Sequence, residues 1–237
     1  IIVADTEGGM GYMIEQCLQN EIHDMGLQRE VACIVTQMIV DKHDPALKTP
    51  TKFVGPFYKK EQVDELGHKR GWVIKEDSGR GWRRVVPSPK PQAAVEKDTI
   101  KLLLDNEIIV IAAGGGGIPV YIEENGWLEG VDAVIDKDLA SAVVGNNVAA
   151  EELMIFTAVE KVALNFGKPD QVFLDNITLE ETKKYFSEGH FPPGNMGPKI
   201  EAAINFLEGG GQKVVITSIE RSVEAANNRA GTVITRS

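Results

Sequence analysis

Apolar residues recur at helical spacing in "YMIEQCLQNEIHDMG", where Ile14, Leu18, Ile22 and Met25 share one face and Gly26 stands where the helix should stop. The next stretch, "VACIVTQMIV", loses that period and is apolar almost throughout, which predicts a buried strand. From residue 93 the alternation repeats. A helix is predicted over "AAVEKDTIKLLLDNE", a strand over "IIVIAA", a helix from about Asp138, a strand over "LMIFTAV", helices from Thr178 and from Pro198, and a strand over "KVVITS". Thr178 and Glu181 have capping-box spacing, and Pro198 suits a first helical turn. Short apolar strands between amphipathic helices imply an α/β fold with a mostly parallel sheet covered on both faces.

Residues 41–91 break this rhythm with proline, glycine and charge, as in "DKHDPALKTPTKFVGPFYKK". The expectation is an inserted, protruding subdomain over 41–91, carried by one α/β domain over 1–40 and 92–237. Read without function, the insertion is a structured excursion whose turns are set by Pro45, Pro50 and Pro56.

The 237 residues carry a formal net charge of -10. A balance so acidic argues against a general nucleic-acid binder, which needs a basic face. No apolar run approaches the ~18 residues of a membrane-spanning helix, so no membrane partner is expected. Cys17 and Cys33 form neither a disulfide framework nor a metal-ligand spacing, His23, His43, His68 and His190 are scattered, and the setting expected is a reducing cytoplasm.

Within this frame the densest signal is "IIVIAAGGGGIPV", with Gly114, Gly115, Gly116 and Gly117 directly after a buried strand. Consecutive glycines let backbone N–H groups reach an anion, and open α/β sheets place ligands at the carboxyl ends of their strands. The run matches neither a dinucleotide fingerprint nor a Walker A loop, and a tight strand exit with no ligand is its plain alternative. In "FPPGNMGPKIEAA", Lys199 falls in the first turn of a helix, where the macrodipole disfavours a cation unless an anion sits there too. Lys137 stands between Asp136 and Asp138 at another strand-to-helix junction. Each lysine read alone is an exposed side chain at a helix start. Together with the glycine run they look like phosphoryl-transfer equipment, in which positioned positive charge does most of the catalysis.

These segments resemble one family. "MGYMIEQ", "TPTKFVGPFY", "EDSGRGWRRVVPSPKP", "AAGGGGIPV", "VDAVIDKDLAS", "TAVEKVALNFGKPD", "GHFPPGNMGPKIEAA" and the closing "GTVI" are similar to the carbamate kinases of the amino-acid kinase superfamily. The resemblance implies a three-layer α/β/α sandwich, a homodimer, and phosphoryl transfer between carbamoyl phosphate or carbamate and ADP or ATP with Mg²⁺, in the ATP-forming direction of arginine fermentation. It implies that Lys137 neutralises the moving phosphoryl group, Asp138 orients the lysines, Lys199 reaches the nucleotide's terminal phosphates, and Lys52 closes over the site. It implies further that Gly114 to Gly117 hold the carbamoyl or phosphoryl group, and that Thr157, Ala158, Val159, Val162, Met196 and Gly197 border the nucleotide. No protein metal ligand is implied, because Mg²⁺ comes with the phosphates.

Three positions depart from the family text, Ala163 standing for an aromatic residue, Asn195 for serine and Pro192 for alanine, and "VVGNNVAAEE" departs from the leucine-rich text of the helix after Lys137. The family's opening "GGNA" and "GNGPQVG" loops do not occur, and the chain starts without methionine on an apolar tetrad, so the expectation is a sequence lacking its N-terminal part. Two other readings stay open, another carboxylate kinase of the superfamily and a non-catalytic binder of nucleotide or carbamoyl phosphate.

Overall fold

The computed structural model describes residues 1–77 and 79–237. The elements follow in order as α1 (Ile2–Asp24), β1 (Val31–Cys33), β2 (Gln37–Val40), β3 (Lys52–Tyr58), α2 (Lys60–Arg70), β4 (Val73–Glu76), β5 (Trp82–Val86), β6 (Pro91–Ala94), α3 (Lys97–Asp105) and β7 (Ile109–Ile111). They continue as β8 (Ile118–Ile122), β9 (Leu128–Gly130), α4 (Lys137–Asn147), β10 (Glu152–Thr157), β11 (Ala163–Leu164), β12 (Val172–Phe173), β13 (Asn176–Thr178), α5 (Leu179–Ser187), α6 (Met196–Glu208), β14 (Lys213–Ser218), α7 (Ser222–Ala226) and β15 (Thr232–Thr235).

The fold is α/β, with helices on both faces of the β14 layer. Successive strand side chains point to opposite faces. Val214 and Ile216 therefore pack into the large core with Ile200, Ala203 and Phe206 of α6, while Val215 joins Ala225 of α7 on the other side. Parallel pairings run β10 with β14, β2 with β8, and β1 with β7. Antiparallel neighbours flank them, β6 on β2, β9 on β8 and β15 on β14, so the layer is mixed.

Two predicted elements come out differently. "VACIVTQMIV" is not one strand but β1 and β2, which pair with different neighbours. The chain changes partner at Thr36, whose amide donates to the Glu7 carboxylate. The predicted helix from residue 93 starts only at Lys97, because Ala93 and Ala94 pair with Ile39 and Met38 in β6. That pairing is locked by Glu96, which accepts from both the amide and the side chain of Gln37, and it outweighs the helix preference of alanine. Helix α1 begins ten residues before the predicted Tyr12 start but ends as expected. Gly26, at φ 67°, donates to the His23 carbonyl and Leu27 donates to Ile22, a Schellman closure that needs a left-handed residue.

Within 41–91, β3, β5 and β4 form a three-stranded antiparallel sheet with α2 beside it. Arg83 donates to buried Asp77 and to the Gly55 carbonyl, with its guanidinium 5.0 Å from the Phe57 ring centre. Arg84 lies 4.8 Å from the Trp72 ring centre. Both arginines hold this sheet together. Among the described residues, no helix is long and apolar enough to cross a membrane.

Candidate active site

Asp136 closes the run into α4 as its N-cap: its Oδ1 accepts from the Asp138 amide at 2.9 Å, satisfying one of the helix's free donors. Its other oxygen, Oδ2, accepts from Lys52 Nζ, reaching in from the first residue of β3. Burial alone would push the Asp136 carboxyl up, but the hydrogen bond and charge of Lys52, the Asp138 amide and the nearby Lys137 outweigh it and hold the group below the usual aspartate range.

Asp138 Oδ2 receives two ammonium groups, Lys199 Nζ at 2.8 Å and Lys137 Nζ at 3.2 Å. The Lys199 and Asp138 side chains are each 8% exposed, whereas Lys137 is 61% exposed. A lysine in the first turn of α6 is thus tolerated because a buried carboxylate from another helix cancels its charge. Lys52, Lys137 and Lys199 come from three separate segments and converge on two aspartates that are two residues apart.

The glycine turn abuts the same junction. A 3-10 turn covers Gly114–Gly116, entered through Ala113 in the left-handed region at φ 53°. A Cβ on Gly116 would lie 2.4 Å from the Ile135 carbonyl oxygen, next to Asp136, and one on Gly117 would lie 2.4 Å from Met38 Cγ. Glycine is required there by close approach. The amides of Gly116 and Gly117 donate within the turn, to Ala113 and Gly114. That leaves the amides of Gly114 and Gly115, the exposed pair, outside the turn's own hydrogen bonds. Of the four glycines, two thus spend their amides on the turn itself and two keep theirs outside its hydrogen bonds.

A cleft opens between the end of β10 and the start of α6. Thr157, Ala158, Val159 and Met196 line it as predicted positions. Val162 and Gly197 do not. Val162 is fully buried, its amide given to Thr232 Oγ1, and the Gly197 amide is given to the Pro192 carbonyl. They support the lining from behind. The lining also includes Lys161, within the stretch from Thr157 to Val162 expected there, and Phe166, His190 and Phe191, which the sequence did not single out for it. Ala163, Pro192 and Asn195 line it as well, so these three departures from the family text fall together on this one surface.

Two further residues at the glycine turn escaped the sequence reading. Glu7 is 4% exposed and lies on the α1 segment that the helical period did not reach. Thr36 is fully buried, and its signal was the polar Thr36–Gln37 pair interrupting an apolar run. Among the described residues no group of three or more His, Cys, Asp or Glu is arranged to hold a metal ion.

A family model described as the Amino acid kinase family matches residues 7–218. The carbamate kinase of Pyrococcus horikoshii is 52% identical over 98% of this chain and 74% of its own length. That of Thermococcus kodakarensis is 53% identical over 98% of this chain and 74% of its own. Among solved structures, carbamate kinase from Giardia lamblia bound to AMP-PNP superposes with a TM-score of 0.86 at 42% identity, covering 98% of this chain and 73% of that one. The chain spans about three quarters of the length of these relatives.

Proposed function

The chain belongs to the amino acid kinase family and, within it, to the carbamate kinases, and from that premise we propose that it moves a phosphoryl group between carbamoyl phosphate and ADP. The observation that carries the reading is the single oxygen, Asp138 Oδ2, that gathers Lys137 and Lys199 beside the glycine turn.

In the ATP-forming direction a β-phosphate oxygen of ADP attacks phosphorus, the bond from phosphorus to the carbamoyl oxygen breaks, and carbamate leaves with the electron pair. No proton has to move, so the site needs positive charge and not a base. Lys137, the more exposed ammonium, neutralises the moving phosphoryl oxygens, and Lys199 meets the nucleotide's terminal phosphates from the start of α6. Asp138, already occupied by two ammonium groups, orients them. The amides of Gly114 and Gly115 hold the carbamoyl end, and the cleft from Thr157 to Met196 takes the adenine.

Residues 41–91 form a lid over the domain made by 1–40 and 92–237, and Lys52 is its contact with the site through Asp136. The site carboxylates Asp136 and Asp138 are engaged by lysines, which suits a Mg²⁺ carried on the nucleotide phosphates, where it adds positive charge. The same reading includes a homodimer in the cytoplasm, serving ATP formation in arginine fermentation; the two free cysteines agree with a reducing compartment. A coupled assay with carbamoyl phosphate, ADP and Mg²⁺ should yield ATP, with acetyl phosphate run as a competing donor. Protein that is folded yet makes no ATP from carbamoyl phosphate would refute the activity.

A further inference from the structure

The glycine turn is gripped at both ends by one residue. Thr36 Oγ1 accepts from the Ala113 amide at 2.9 Å, just before the turn, and the Thr36 carbonyl accepts from the Ile118 amide at 2.9 Å, just after it. The Thr36 hydroxyl donates to the Ile34 carbonyl at 2.8 Å, which sets its orientation. Behind Thr36 stands Glu7, whose Oε2 accepts from the Thr36 amide at 3.0 Å. The Glu7 side chain also lies directly under the turn, since a Cβ on Gly114 would meet Glu7 Cγ at 3.3 Å. Its second oxygen, Oε1, is buried and has no hydrogen-bond partner among the described residues. An unpaired buried carboxylate oxygen is costly, and it is more so beside a cradle built for an anion.

We propose that Glu7 is a positioning residue for the carbamoyl site: through Thr36 it fixes the glycine turn, and its unpaired oxygen makes the turn's hold on an anion depend on whether Glu7 carries a proton. The inference rests on the functional reading above and extends it to a residue outside the lysine cluster. Burial, with the charge of Glu96 added and the Thr36 amide opposing, raises the Glu7 carboxyl from 4.5 to about 7. The titratable neighbours from the packed elements are Glu96, at the start of α3, and Cys33 of β1, whose thiol approaches the Glu7 carbonyl at 3.9 Å. The glycine turn itself adds none. In this poorly solvated place a carboxylate repels a bound anion strongly, and by reciprocity the bound anion favours the protonated form.

Glu7→Gln keeps an acceptor for the Thr36 amide and removes the titration. The measurement is the dissociation constant of carbamoyl phosphate by cold calorimetry on the nucleotide-free protein, wild type beside variant. A group that titrates near 7 and must be protonated in the complex weakens binding about tenfold between about pH 6 and about pH 8. The wild type should therefore weaken by about tenfold more than Glu7→Gln over that interval, because the ligand's own titration is common to both. Equal pH slopes overturn the inference and leave the functional reading standing. Thr36→Val removes the acceptor for Ala113 and should weaken binding by a similar factor at both pH values, without changing the slope. Unchanged affinity in that variant overturns the positioning role. Absence of carbamoyl phosphate binding by folded wild type at both pH values overturns the functional reading and this inference with it.

Discussion

Lys137 and Lys199 share an oxygen yet differ in what they do for the molecule, and burial decides the difference. Lys199 and Asp138 are both nearly sealed from solvent, so breaking their pair strands a charge. Removing one partner of a buried ion pair costs ~3–5 kcal/mol. Asp138→Asn should therefore lower both the urea midpoint and turnover. Lys137 is mostly exposed and its loss strands nothing buried. Lys137→Ala should leave the urea midpoint in place while turnover falls ~10²–10³-fold, the effect of losing one preorganised donor to a developing anion. A Lys137→Ala protein with most of its turnover would remove that lysine from the mechanism. At this scale local pattern placed the lysines at helix starts, while their common partner Asp138 was legible only through the family resemblance, because Lys199 and Asp138 are 61 residues apart.

At the scale of elements, the strand exits and helix starts carry the site, and the glycine turn shows how backbone geometry constrains it. Gly116 is held at φ 114° with a backbone oxygen where a Cβ would go, whereas Gly115, at φ 68°, has open space on that side. Gly116→Ala should cost at least ~2 kcal/mol and shift the turn, with a weaker grip on carbamoyl phosphate. Gly115→Ala should cost about 1 kcal/mol, from backbone strain alone. Comparing the two by thermal unfolding and KM separates close approach from conformational strain. Elements set by local chemistry were legible in advance: the Thr178–Glu181 capping box closes in both directions, with bonds of 2.8 and 3.2 Å. Elements set by a distant partner were not, as Ala93 and Ala94 show by joining β6.

Across the whole molecule, the β3–β5–β4 sheet reaches the start of α4 through Lys52 and Asp136, residues 84 apart in sequence. The folded-state Asp136 carboxyl lies below its ordinary value, so the pair adds stability that is present above the usual aspartate pKa of ~3.9 and lost as pH falls through the lowered value. The stability gap between wild type and Lys52→Ala should thus be open at neutral pH and close on acidification, as read by urea unfolding. At neutral pH the same variant should change KM and kcat together, the mark of impaired closure. By itself the sequence determined the α/β class, the helix caps, the glycine run after an apolar strand and the lysines at helix starts, because each follows from period, turn chemistry or spacing within a few residues. Only the tertiary structure decided that both lysines would meet at one oxygen of Asp138, that Thr36 and Glu7 would brace the glycine turn, and that Val162 and Gly197 would stand behind the cleft. Those outcomes depend on which distant segments share space once the core has closed, and no local pattern encodes that.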